Sequence, residues 1–109
     1  MVTSEGLGRD DANGKPARLV VVTGTTPKGS ASVLLISGAA VDTPERLRVW
    51  DRTAENGNPF VNFNPVTTKA LPLDAAHPQV SKRRYRVIAA DRTMDATAAE
   101  AEWRAWLGR

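Results

Sequence analysis

The chain has no cysteine and only one histidine, and its 109 residues include just three Trp, two Phe and one Tyr. Disulfides and thiolate metal sites are therefore excluded, and His77 alone cannot build a histidine cluster. No hydrophobic run approaches the ~20 residues of a membrane-spanning helix, and the N-terminus lacks the basic and then apolar pattern of an export signal. The composition predicts a protein that is neither secreted nor membrane-bound and that holds no metal or cofactor.

The length is typical of one domain. Residues 1–16 combine Gly, Asp and Asn with few apolar side chains, a composition that cannot offset the entropy of ordering. They predict a flexible N-terminal arm that becomes ordered only against a neighbour. Residues 17–109 are then expected to form a single β-rich domain that ends with a helix at about 95–107.

Two apolar strands, Arg18–Thr25 and Ser30–Ser37, are predicted on either side of a turn at Thr26–Gly29. Proline at the second turn position and glycine at the fourth favour a β-hairpin. A phosphate-binding loop is the alternative, but such loops place the glycine before the lysine and lead into a helix. Here Lys28 precedes Gly29 and an apolar run follows. Both strands are apolar on both faces, so each face of the sheet needs cover.

The segment Arg46–Trp50 alternates between polar and apolar residues like a strand, although Thr43-Pro44 before it resembles a helix start. We favour the strand, with Leu47 and Val49 facing the core. From residue 53 to residue 79 the chain is interrupted by proline and Asn-Gly, which permits only short edge strands. The best candidates for these are Phe60–Asn64 and Lys69–Leu73.

A further strand is predicted at Arg83–Ala90, with Tyr85, Val87 and Ala89 on one face. A helix follows from about Asp95, and Thr97 with Glu100 has capping-box spacing. The apolar stripe of this helix consists of Ala96, Ala99, Trp103, Trp106 and Leu107. These elements predict an α+β fold: a mostly antiparallel β-sheet, built as a small sandwich or partly open barrel, with a C-terminal amphipathic helix and the disorder-prone arm.

The basic residues suggest a nucleic-acid site. The net charge is +3, and four cations fall within the five residues that start at Lys82. If the two Arg-rich strands are neighbours, one face carries Arg46, Arg48, Trp50, Arg84 and Arg86. Cations that follow phosphates beside an aromatic platform are what single-stranded nucleic acid requires. The alternative is a solvated face whose arginine stems cover apolar surface.

Catalytic patterns are weak. His77 lies in a proline-flanked loop, where a lone histidine is more often exposed than catalytic. The acids show no pairing suited to metal binding or glycoside hydrolysis. We therefore expect that the protein is not an enzyme.

A short segment, Leu47–Thr53, resembles a Trp-Asp segment of lambda-type phage capsid decoration proteins, which are similarly short. The resemblance covers seven residues, and no functional residue is transferred by it. The basic balance and the terminal Trp-bearing helix of this chain depart from that pattern.

Elements that gain order from neighbours carry the functional hypothesis. The candidate contact residues are Phe60 and Phe63, in the loop-rich segment 53–79, and Trp103 and Trp106 on the helix. We expect a non-enzymatic structural or interaction subunit of a larger assembly, for example a capsid or tail accessory protein of a bacteriophage particle, located in the bacterial cytoplasm or the virion. Its partners would be copies of itself or other subunits, with the nucleic-acid-binding module as the alternative.

Overall fold

The structure is a computed structural model that describes residues 1–39, 42–65, 74–77 and 82–107. In chain order its elements are β1 (Val2–Thr3), β2 (Leu19–Thr26), β3 (Gly29–Ser37), β4 (Arg46–Val49), a 3-10 segment (Ala54–Gly57), β5 (Val61–Asn64), β6 (Tyr85–Ala90) and α1 (Ala96–Leu107). A four-stranded antiparallel sheet has the order β1-β2-β3-β6, and β4 pairs with β5 in a second sheet. The predicted α+β fold is confirmed, whereas the strand predicted at Lys69–Leu73 lies outside the described residues.

The central hairpin forms as predicted. Strands β2 and β3 pair without interruption from Leu19 with Ile36 to Thr26 with Gly29. A two-residue turn of proline and lysine joins them, and Gly29 has a positive φ of 124° that favours glycine. The stretch that could have been a phosphate loop is therefore a strand–turn–strand unit.

One face of the four-stranded sheet is covered by α1. Its buried core combines β2 and β3 side chains with Met94 and Ala99, and Trp103 and Trp106 pack against this core in partly buried positions. The helix begins where the Asp95 carboxylate accepts the Ala98 N–H at 2.8 Å, so the cap is Asp95 and not the predicted Thr97 pair. Both indoles of the helix therefore pack within their own chain.

The opposite face is covered only in part. Val20 of β2 packs with Leu47 and Val49 of β4, and Ala12 and Ala17 complete this second core. The prediction that Leu47 and Val49 face the core is confirmed. The small β4–β5 sheet thus forms an incomplete second layer over the four-stranded sheet.

Residues 1–16 differ from the predicted arm, because they pack on their own chain. Strand β1 pairs with β2. The Gly14 N–H donates to the Leu47 carbonyl at 2.8 Å, and the Leu47 N–H donates to the Lys15 carbonyl at 2.9 Å. The guanidinium of Arg9 donates to four backbone carbonyls, those of Trp50, Asp51, Gly57 and Asn58. Ala12 is buried, and Met1, Val2 and Leu7 pack against the two cores. The charge-assisted hydrogen bonds of Arg9 add to this packing. How mobile it is in solution stays a prediction.

Candidate functional site

The arginines of the two basic strands do not share a face. Strand β4 pairs with β5, and β6 pairs with β3, so the condition for the predicted nucleic-acid face is not met. On β4, Arg48 is exposed and Arg46 donates to the Gly14 carbonyl at 2.8 Å. The Trp50 ring, which would have been the stacking platform, instead stacks on Phe60 with 4.7 Å between ring centroids.

The arginines at the start of β6 contact side chains of α1. The Arg84 guanidinium lies over the Trp106 ring at 4.9 Å from the centroid, and Arg86 reaches within 3.8 Å of the Glu102 carboxylate. Arg18 makes a similar contact, at 4.3 Å from the Trp103 centroid. These cation–π and ionic contacts hold α1 on the sheet.

The predicted contact residues separate into two groups. Trp103, Trp106 and Phe60 are engaged within the chain, as described above. Phe63 lies on β5, packs at the margin of the second core and stacks on Tyr85 with centroids 5.9 Å apart. Of the four, only Phe63 borders the uncovered part of the sheet.

That uncovered part is an apolar surface on β3 and β6, which we call the open face. It consists of Val33, Leu35, Tyr85, Val87 and Ala89. Val33 is 39% exposed, Tyr85 44% and Val87 63%, the large apolar side chains with the greatest exposure among the described residues. Clustered apolar exposure of this kind marks an interaction surface more often than an ordinary solvated one.

A cleft deepens the open face where β5 approaches β6. Its volume is about 450 Å³, and it is lined by Leu35, Ile36, Val61, Asn62, Phe63, Pro65, Tyr85, Arg86 and Val87. The two aromatic rings, Phe63 and Tyr85, stack along one wall. A concave apolar site with a few polar groups at its rim can receive apolar side chains of a partner.

A buried carboxylate positions the tyrosine of the cleft. Glu45 is 2% exposed and accepts hydrogen bonds from the Ser37 hydroxyl at 2.9 Å and from the Tyr85 hydroxyl at 3.1 Å. The Arg83 guanidinium lies 3.2 Å from the same carboxylate. Burial, followed by the hydrogen bond to Glu45, raises the pKa of Tyr85. Because three donors already occupy the carboxylate, this cluster orients Tyr85 and does not offer a free base.

His77 is exposed and pairs with Asp74, three residues earlier, through Nδ1 and a carboxylate oxygen 2.8 Å apart. This hydrogen bond is the main cause of the lowered pKa of Asp74. Within the ranges that the structure describes, no group of three His or acidic side chains is placed to hold a metal ion. In the same ranges no helix has the length and hydrophobicity needed to cross a bilayer.

Sequence reasoning missed two residues that shape this region. Glu45 follows Pro44 in the stretch that resembles a helix start, and nothing in the sequence marks it as buried. Arg9 sits among glycines and acids, and its four acceptors are backbone carbonyls more than 40 residues away. Only the alternation of Tyr85, Val87 and Ala89 signalled a distinct face.

The described residues therefore define a small α+β protein with one covered and one partly open sheet face. Residues 1–104 match the model of a family of unknown function (DUF6807), so the chain belongs to that family. No curated protein and no solved structure matches it.

Proposed function

We propose that the protein is a non-enzymatic interaction subunit that binds a partner polypeptide on the open face. The observation that carries this proposal is the exposure of Val33, Tyr85 and Val87 side by side on paired strands. A contiguous group of exposed apolar side chains on one sheet face favours a role in binding.

The surrounding geometry supports the same proposal. The cleft beside Val87 supplies a concave receptor for an anchoring side chain, and Phe63 and Tyr85 supply the aromatic contact area that binding hot spots favour. Glu45 holds the Tyr85 ring in place, which lowers the entropy lost on binding.

The experiment is site-specific photo-crosslinking in the cells that make the protein. A photoreactive residue in place of Val87 is expected to give a discrete crosslinked species of higher mass, whose second chain is identified by mass spectrometry. The same residue in place of Thr25, which is also exposed but lies at the hairpin end, is the matched control. Equal products at both positions, or none at position 87, would overturn the proposal.

The finer assignments stay predictions from the sequence. A phage-particle setting has no further observation behind it, and the nucleic-acid alternative lacks the shared arginine face on which it depended. The ratio of absorbance at the nucleic-acid and protein maxima, recorded during size-exclusion chromatography of the purified chain, tests the latter directly.

A further inference from the structure

The open face continues to the edge of the four-stranded sheet, where β6 is the last strand. The hydrogen bonds at the end of β3 show which backbone groups of β6 face outward. The Ser37 N–H donates toward β2, to the Arg18 carbonyl at 2.9 Å. The next N–H, that of Gly38, donates toward β6, to the Arg84 carbonyl at 2.8 Å. In antiparallel pairs alternate residues hydrogen-bond to opposite sides. Even-numbered residues of β6 therefore bond to β3, and the N–H and C=O groups of Tyr85, Val87 and Ala89 point away from the sheet.

Those outward groups have no partner strand in the described part of the chain, where β6 pairs with β3 alone. A strand edge with free donors and acceptors is a template for another extended segment. The side chains that belong to the same three residues lie on the open face. Among the described residues, one surface thus combines a strand edge that has no partner strand with an apolar face.

Basic side chains outnumber acidic ones beside this edge, although Glu45 pairs with Arg83 and Glu102 lies 3.8 Å from Arg86. Between residues 82 and 92 there are five basic side chains and one acid, a local charge of +4 in a chain whose total is +3. Lys82, Arg83 and Arg84 are all exposed at the start of the strand. Arg83 is paired with Glu45 and Arg84 is held on the Trp106 ring, so their positions are fixed before any partner arrives.

We propose that the edge of β6 receives an extended acidic segment of a partner polypeptide, which adds to the sheet as a fifth strand. This inference rests on the proposed function and names the class of partner. The added strand would hydrogen-bond with Tyr85, Val87 and Ala89, place alternate apolar side chains beside the open face, and set its carboxylates near Lys82 and Arg84.

A second copy of this chain fits the edge less well. Pairing two β6 edges would bring two basic segments together, and the repulsion between them would oppose the contact at low salt. The two occupants differ in their response to salt. Binding of an acidic strand weakens as salt rises, whereas a contact between two basic edges strengthens.

The test uses the full chain labelled with ¹⁵N and two synthetic peptides of equal length, acetyl-(Glu-Val)₄-amide and acetyl-(Lys-Val)₄-amide. The acidic peptide is expected to shift the amide resonances of Tyr85, Val87 and Ala89, and the basic peptide to leave them unchanged. The dissociation constant for the acidic peptide should rise at least about threefold when salt is raised from about 20 to about 200 mM.

Two pairs of controls separate charge from backbone pairing. Lys82→Glu should lower the affinity for the acidic peptide about threefold at low salt. Lys28→Glu, the same change in the distant hairpin turn, should leave the affinity unchanged. Val87→Pro removes an outward N–H while leaving the ladder to β3 intact, and it should abolish binding. An acidic peptide methylated at its valine nitrogens makes the same test on the unaltered protein and does not depend on how the variant folds.

Equal binding of the two peptides, or shifts confined to residues outside β6, would overturn the inference. So would a dimer that becomes tighter as salt rises, because a second copy would then occupy the edge. If position 87 crosslinks to a partner in cells but the acidic peptide does not bind, only strand addition is lost. If the crosslink itself is absent, the proposed function is overturned as well.

Discussion

The two faces of the four-stranded sheet have similar sequences but different surroundings. On β3, Leu34 faces α1 and is fully buried, whereas its neighbour Val33 faces the other way and is 39% exposed. Both strands of the hairpin are apolar on both sides, which predicts cover on both. The chain supplies that cover with a helix on one face and only partly, with β4, β5 and residues 12–17, on the other. A strand's composition therefore shows that a face needs a partner, but not where the partner comes from.

Truncation of one side chain on each face tests the comparison most strongly. Leu34→Ala removes a fully buried side chain from the helix-side core and should lower the free energy of unfolding by about 3 kcal/mol. Val87→Ala, on the open face, should change it by less than about 0.5 kcal/mol. Urea unfolding followed by circular dichroism measures both. If the two losses were equal, the open face would be part of the core of the isolated chain, contrary to the exposure of Val87.

The close contact between α1 and the sheet gives the second prediction. A Cβ atom added at Gly38 would lie 2.9 Å from the Arg84 carbonyl oxygen and 3.2 Å from the Trp106 ring, so Gly38→Ala should cost about 2 kcal/mol. Gly24→Ala is the matched control, because a Cβ there meets nothing within 4 Å. Thermal unfolding of the two variants provides the measurement. An unchanged thermal-unfolding midpoint for Gly38→Ala would mean that Trp106 of α1 does not pack against Gly38 as described.

On the sheet face opposite α1, the packing of residues 1–16 depends on Arg9. Arg9→Ala removes a guanidinium that donates to four carbonyls and should destabilise the protein by about 1.5 kcal/mol. Amide hydrogen exchange should then increase in β1 and in residues 12–17 before it increases in β3. Arg9→Lys should not restore protection, because an ammonium cannot reproduce the planar fork. Arg48→Ala, at an exposed arginine, is the control, and if both variants exchanged alike, residues 1–16 would be the flexible arm predicted from sequence.

The smallest effect concerns Tyr85. Its raised pKa means that the folded state holds the phenolic proton more tightly than the unfolded state. The stability from this group is therefore complete below the ordinary tyrosine pKa of about 10 and declines as pH rises from there through the folded-state pKa. Tyr85→Phe should lose about 0.5 kcal/mol at neutral pH and should lack this alkaline decline.

The single tyrosine makes this measurement specific, because the phenolate absorbance of the chain reports Tyr85 alone. The midpoint of that titration should lie above 10.0, the ordinary value. Glu45→Gln, which keeps the shape but removes the charge, should lower the midpoint toward that value. A midpoint at or below it in the parent protein would argue against the hydrogen bond between Tyr85 and Glu45.

Local elements were predictable because their signals are local. The hairpin turn follows from Pro27 and Gly29, the strand Arg46–Val49 from its alternation, and the helix from its apolar stripe with the i,i+4 pair Glu100 and Arg104. The contacts of residues 1–16 with the rest of the chain were not predictable, whereas their mobility stays a prediction. Apolar content predicts whether a segment can bury itself, but Arg9 holds this one through hydrogen bonds to distant carbonyls, which no local pattern encodes.

The candidate site was predictable only in part. The alternation in β6 correctly put Tyr85, Val87 and Ala89 on a common face. Phe63 lies at the margin of the second core, and its role as a contact residue stays a prediction. The shared arginine face required two strands to be neighbours, and strand pairing is decided by contacts far apart in sequence. Glu45 could not be foreseen, since its burial depends on donors from Ser37, Arg83 and Tyr85 converging on it.

Local patterns in the sequence are enough to place the central hairpin, β4, β6 and the helix, and to show that both faces of the hairpin are apolar, because periodicity and turn chemistry act over a few residues. They do not predict β1, which lies in the segment expected to be an arm. Three features become visible only in the folded chain: the indoles of α1 pack within it, β6 lies at the edge of the described sheet, and one apolar face stays partly uncovered. These outcomes depend on the order in which strands pair. That order is set by the summed packing of distant segments, which a linear pattern does not contain.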